Sequence, residues 1–123
     1  MRKVSIIGGK TSEFKKGSEI SVSHIALEPT ITLLKETGFP RSLIDAVIVS
    51  SCSSDQYLSS IISEMLGIKP KISHRIDNLC NSGTNAIISG YSYIASGLCD
   101  SALIIGVEKS NTLGKVLGSD LSR

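Results

Sequence analysis

The chain has 123 residues, a formal net charge of +2, 41% apolar and 4% aromatic residues, and no Trp. That length gives one packed domain and no room for a second. A charge so near zero, spread over scattered lysines, argues against nucleic acid or an anionic membrane, and so few aromatics leave no base-stacking platform.

Residues 4–7 are a short β-branched run closed by Gly8-Gly9 and read as a first strand, followed by a polar loop over 11–17. A helical pattern runs from about 21 to 37 and stops at Gly38, a residue suited to a helix C-terminus. Pro29 interrupts it: either the helix kinks there, or a shorter helix opens at Glu28-Pro29. After a turn at Phe39-Pro40-Arg41-Ser42, residues 44–51 (IDAVIVSS) read as a second strand. Leu58, Ile61, Ile62, Met65 and Leu66 recur at helical spacing, which predicts a second helix over 54–66, ended by Gly67. A third strand is expected over 71–79, a third helix over 81–98, and a fourth strand over 102–107 (ALIIGV). Having no polar residue, that fourth strand is expected to be central. Strand–helix alternation with apolar strands predicts an α/β fold with a mostly parallel sheet between helical layers. The tail, 110–123, is polar and reads as loop.

Gly83, Gly90 and Gly97 recur every seven residues in the third helix, with Ala86, Ser89, Ala95 and Ser96 between them. Interior glycine costs a helix about 1 kcal/mol against alanine. The pattern therefore fits either a second backbone packed along that face or a small-residue helix lying on a sheet.

Several motifs fail on inspection. Gly8-Gly9 lacks the third glycine of a dinucleotide-binding turn, and Gly9-Lys10-Thr11 lacks the upstream glycine of a P-loop. Cys52, Cys80 and Cys99 match no zinc spacing, and His24 and His74 complete none, so neither metal nor cofactor is expected. All three cysteines read as reduced thiols. No apolar run approaches bilayer length and Met1-Arg2-Lys3 leads into a strand pattern, so a cytoplasmic location is expected.

The chemistry concentrates in Asp77-Asn78-Leu79-Cys80-Asn81-Ser82-Gly83-Thr84. Cys80 sits where a strand hands over to a helix, and the unpaired N–H groups of a helix N-terminus favour a thiolate, the form that attacks carbonyl carbon. The plainer reading is a buried structural thiol. Gly83 removes a side chain where a substrate or a second helix would approach. His74 lies six residues before Cys80 on one predicted strand, roughly 20 Å away at about 3.3 Å per residue, too far to be its base. His24 reads as a surface or boundary residue. Cys52 ends the second strand, close enough to lie near Cys80, and is read as a packing residue. Cys99, at the negative end of the third helix, is read as structural.

The order of elements, with NLCNSGTNAI around Cys80, GGKTSEFKKG (8–17), GFPRSLIDAVIVSS (38–51) and LIIGVEKSN (103–111), resembles the N-terminal half of the thiolase superfamily. The branch it is most similar to holds archaeal acetyl-CoA acetyltransferases and sterol-carrier-protein thiolases. The resemblance implies a three-layer α/β/α half-domain over 1–109, with 110–123 opening the family's loop region. It further implies that Cys80 accepts the acyl group from an acyl-CoA thioester, its backbone N–H forming half of an oxyanion hole. The family's acid/base cysteine and histidines belong to a C-terminal half that no segment here matches. The family's sheet has the order 3-2-4-5-1, and its fifth strand is absent from this chain. Beside the fourth strand that leaves an empty slot, so a fragment, a truncated frame or one piece of a split enzyme is expected. Implied partners are acyl-CoA or CoA, and either a second copy joined through the strand before Cys80 or a separate chain carrying the C-terminal half. The alternatives are a β-ketoacyl synthase or hydroxymethylglutaryl-CoA synthase-like condensing enzyme, which Val107-Glu108-Lys109 argues against, and a non-catalytic interaction module.

Overall fold

The computed structural model describes residues 1–13 and 20–109. Its elements are helix α1 (Val22–Thr37), a single 3-10 turn (Arg41–Leu43), strand β1 (Ala46–Ser50), helix α2 (Leu58–Leu66), strand β2 (Ile72–Ile76), helix α3 (Ser82–Ala95) and strand β3 (Ala102–Gly106). The three strands form a parallel sheet ordered β2-β1-β3. From β1 the chain crosses to β2 on one side, and from β2 it crosses back to β3 on the other. Parallel crossovers are right-handed, so reversing direction puts the two crossover helices on opposite faces. Accordingly α3 packs on one face of the sheet while α2, with α1 beside it, packs on the other. The expected α/β/α layering is present.

β1 is the central strand, buried on both faces at all five residues. Val47 and Val49 point into a cluster with Leu58, Ile62 and Leu66 of α2, Ala26 and Leu34 of α1, and Leu103 and Ile105 of β3. Leu58, Ile62 and Leu66 are spaced by four, one stripe of α2, and each is at most 1% exposed. Burying each such side chain stabilises the fold by roughly 1.5–3 kcal/mol.

β3, expected at the centre, is an edge strand among the described residues. Its apolar run comes from being covered on both faces, by α1 and α3, and not from having two strand neighbours. The first predicted strand is also absent. Residues 4–7 pair with no strand, and Ile6 and Ile7 are 92% and 66% exposed. Both outer edges of the sheet are open among the described residues, yet the chain's start is tied to the end of α3 instead. Arg2 donates from Nε to Ile94 O (3.1 Å) and from Nη2 to Cys99 O (2.8 Å), pairs through Nη1 with Asp100 (2.8 Å), and its main-chain N–H reaches Ala95 O (3.1 Å). A guanidinium there complements the negative end of α3. Further along, Lys10 pairs with Glu36 of α1 at 2.9 Å.

Helix one is a single helix with Pro29 inside it, so no shorter helix opens at Glu28. The Ser21 hydroxyl caps its start, and Gly38 and Gly67 end α1 and α2 at φ 66° and 72°, the left-handed region that favours glycine. Helix α2 begins at Leu58 and not at 54. Ser51 Oγ accepts from Ser53 N (3.2 Å) and Asp55 Oδ1 from Tyr57 N (3.2 Å), local bonds that compete with helix formation. β2 spans five residues where nine were expected, because the ladder with Ala46–Ser50 is five residues long. α3 likewise ends at Ala95, short of 98, with Gly97 in a left-handed conformation (φ 83°). The expected tail, 110–123, and part of the predicted loop lie outside the described residues.

The heptad of glycines resolves into separate roles. A Cβ at Gly90 would lie 2.7 Å from Ile104 Cδ1, so this glycine lets α3 settle on β3. At Gly83 the nearest atom is Ser50 Oγ at 4.0 Å, an ordinary contact. It is the sheet, not a second helix, that meets this face. Gly90→Val is expected to lower stability by about 2 kcal/mol through overpacking against Ile104 and Ala102. Urea denaturation checks this, and a change under about 0.5 kcal/mol rules the close approach out.

Candidate active site

The register brings the carboxyl ends of the strands out of the sheet together. Ser50 lies opposite Ile76 on one side and Gly106 on the other. The bonds Ser51 N to Ile76 O and Val107 N to Ser50 O, both 3.1 Å, carry each ladder one step further. Cys52, Cys80 and Glu108 follow within a few residues of those ends. β1 leaves for α2 on one face and β2 for α3 on the other, so the crevice between them is the place where open α/β sheets bind ligands.

Past β2 the chain turns sharply. Leu79 has φ 51° and is, among the described residues, the one non-glycine in the left-handed region. Asp77 Oδ1 accepts from Leu79 N at 3.3 Å. Buried Ser82, the first residue of α3, accepts from Asn78 N and donates to Leu79 O, both at 2.7 Å. The turn lifts Cys80 into solvent just before the helix. The N-cap residue, Asn81, makes no side-chain cap, so the first N–H groups of α3 are not covered by its own side chain.

Cys52 belongs to the same crevice. Its Sγ donates to Leu79 O at 3.4 Å and lies 3.9 Å from Ser82 Oγ, while its N–H donates to Glu108 Oε1 at 2.6 Å. Desolvation first, then the nearby Asp77 carboxylate and the negative charge of Glu108, push the Cys52 thiol up to about 11. Arg75 supports the loop from below, donating to Ser51 O at 2.8 Å and Ser53 O at 2.9 Å. Cys99 is buried elsewhere, behind Arg2 and Asp45, and desolvation raises its pKa as well.

Neither histidine reaches Cys80. His74 Nε2 meets the Tyr93 hydroxyl at 3.0 Å, their rings edge to face with centroids 5.9 Å apart. Tyr93 is about 16 Å along α3 from Ser82 at 1.5 Å per residue. His24 Nδ1 bonds Ser21 Oγ at 2.6 Å, at the N-terminus of α1 on the far side of the sheet. Sequence reasoning gave no role to Ser82, Glu108, Asp77 or the left-handed Leu79. Ser82 and Glu108 were signalled by their place in Cys-Asn-Ser-Gly and Gly-Val-Glu-Lys. The conformation of Leu79 has no residue-type signal, since leucine rarely adopts it.

The folded Cys52 thiol keeps its proton to about 11, whereas the unfolded chain's ionises near 9.0. Over that interval the folded state binds more protons. Stability fully present below pH 9 therefore falls as pH rises through about 11. Cys52→Ser is expected to flatten that slope, with the Cys99 contribution unchanged. Denaturation midpoints measured across the range check it, and equal slopes in the two proteins would overturn the assignment.

Residues 4–119 match the sequence profile of the family described as "Thiolase, N-terminal domain". The acetyl-CoA acetyltransferase of Methanothermobacter thermautotrophicus is 30% identical over 114 residues, 89% of this chain and 30% of that protein. The β-ketoacyl-[acyl-carrier-protein] synthase III of Clostridium perfringens is 33% identical over 100 residues, 79% of this chain and again 30% of the relative. The chain thus spans under a third of the length of these curated relatives. Among solved structures, 3-oxoacyl-[acyl-carrier-protein] synthase III from Aquifex aeolicus superposes with a TM-score of 0.72 at 20% identity, over 80% of this chain and 33% of that one, a likeness of fold. With the profile matching nearly end to end over a sheet whose strand order and layering fit it, this chain belongs to the thiolase family, through its N-terminal domain.

Proposed function

We propose that this chain supplies the acyl-accepting end of a thiolase-type acyl-CoA acyltransferase, with Cys80 as the nucleophile. The observation that carries the reading is the exposed Cys80 on a left-handed elbow, immediately before a helix whose N-cap side chain leaves the end open. The Cys80 sulfur attacks the thioester carbonyl of an acyl-CoA, and the backbone N–H of Cys80, at the start of α3, supplies half of the hole for the tetrahedral oxyanion. Collapse breaks the old C–S bond, releases CoA and leaves the acyl group on Cys80. A second acyl-CoA, deprotonated at its α carbon, then attacks the acyl-enzyme to give a β-ketoacyl product. That step moves protons at two positions. Neither histidine is placed for it, since His24 bonds Ser21 and His74 bonds Tyr93.

A second reading shares the first step. Relatives named β-ketoacyl-[acyl-carrier-protein] synthase III match at comparable identity, 33% against 30%, though over less of the chain, 79% against 89%. Under that reading the acyl group on Cys80 passes to a carrier-protein thioester. Offering a carrier-protein thioester against acetyl-CoA as acceptor separates the two.

Incubated with acetyl-CoA, these 123 residues are expected to gain one acetyl group on Cys80, seen by peptide mass spectrometry and lost in Cys80→Ala. Steady cleavage of acetoacetyl-CoA by CoA is expected to be absent. Acetylation at Cys52 or Cys99 instead of Cys80 overturns the reading. Turnover abolished by Cys80→Ser would place the proton-transfer groups within this chain.

A partner belongs to the same reading. Among the described residues neither outer edge of the sheet is paired, and Ile87, Ile88 and Tyr91 of α3 are 60%, 55% and 51% exposed. Open ladder groups and an uncovered apolar face together favour association, with a second copy or with a chain carrying the rest of the relatives' length. Sedimentation velocity at micromolar concentration is expected to show species larger than one chain. A compact monomer that unfolds cooperatively counts against it.

A further inference from the structure

The carbonyl of Leu79 is the most heavily used acceptor at the elbow. It takes the Ser82 N–H at 3.2 Å, the Ser82 hydroxyl at 2.7 Å and the Cys52 thiol at 3.4 Å. The first two donors belong to the helix that follows, and the third comes from the end of β1, across the crevice. A leucine held at φ 51° is disfavoured by its Cβ and persists where its surroundings fix it. The Leu79 carbonyl therefore has two ties to α3 and one to the end of the central strand.

The arrangement around Cys52 suits a permanent donor. Its neighbours Leu79 O, Asp77 and Glu108 are all acceptors or negative charges, and desolvation first, then Asp77 and Glu108, hold the thiol protonated at neutral pH. Its own N–H is fastened to Glu108 and the loop behind it to Arg75, so the backbone that carries the sulfur is held in place. The two thiols of the crevice thus differ in kind. Cys80 is exposed, and Cys52 is half-buried with its hydrogen committed.

We propose that Cys52 is a positioning residue for acyl transfer: its S–H, donating to Leu79 O opposite the Ser82 hydroxyl, clasps the left-handed elbow and so fixes where Cys80 stands relative to the N-terminus of α3. The inference rests on the reading of Cys80 as acyl acceptor. It gives Cys52 no contact with the reacting atoms.

Cys52→Ala and Cys52→Ser of the full chain test it, with the rate of Cys80 acetylation by acetyl-CoA, amide hydrogen exchange at residues 79–82 and the infrared S–H stretch as readouts. Cys52→Ala is expected to slow acetylation about fivefold and speed exchange at the elbow, while Cys52→Ser, which keeps a donor, stays within about twofold of the parent. The S–H band lost in Cys52→Ser is expected at the lowered frequency of a hydrogen-bonded thiol. Equal rates and equal exchange in all three proteins overturn the clasp while leaving Cys80 as acceptor. If the parent is not acetylated at all, the acyl-transfer reading fails, and exchange with the S–H band still decides the clasp. Should Cys52→Ala not fold, the band that the parent has and Cys52→Ser lacks decides it, and an unshifted band refutes it.

Discussion

Everything at the crevice depends on the in-step parallel register around β1. Ala46 through Ser50 faces Ile72 through Ile76 on one side and Ala102 through Gly106 on the other, with no bulge in either ladder. Parallel bonds are evenly spaced, so three strands in step also end in step. A slip of one residue would turn Val47 and Val49 away from Leu58 and Ile62, exchanging a buried face for the other at every position. The hydrophobic core and the meeting of Cys52, Cys80 and Glu108 are therefore two results of the same alignment.

The sequence made the helices and strands readable where pattern and punctuation agreed. Gly38 and Gly67 closed helices where left-handed residues were needed, and the stripe Leu58, Ile62, Leu66 announced the face of α2. Pattern failed where the deciding partner was distant in sequence. Residues 4–7 have strand composition, but composition does not say where a segment docks, and Arg2 anchors that stretch to the end of α3 while both sheet edges stay open among the described residues. The fourth predicted strand looked central because both its faces are covered, and apolarity does not distinguish cover by helices from flanking by strands. The helix predicted over 54–66 starts early because Asp55 is compatible with a helix until its bond to Tyr57 N is known.

At the site the nucleophile position was legible and its surroundings were not. Cys80 announces itself through its place before a glycine-bearing helix. Cys52 reads as a packing residue, and it is indeed half-buried, yet its sulfur lies against the carbonyl that precedes Cys80. Twenty-seven residues separate Cys52 from Leu79, and no local pattern encodes a contact across strands at that separation. The same holds for Glu108, whose bond to Cys52 N spans 56 residues. Both contacts follow only once the register is known.

Arg2 has a consequence of a practical kind. It fastens the beginning of the chain to the carboxyl end of α3, while Cys80 stands at the amino end of the same helix. Fourteen helical residues at 1.5 Å each separate the two by about 21 Å. A chain immobilised on a bead or sensor surface through its first residue would hold α3 like a mast, the thiol at the top and facing the bulk. Reagents delivered in flow would meet Cys80 without first passing the support.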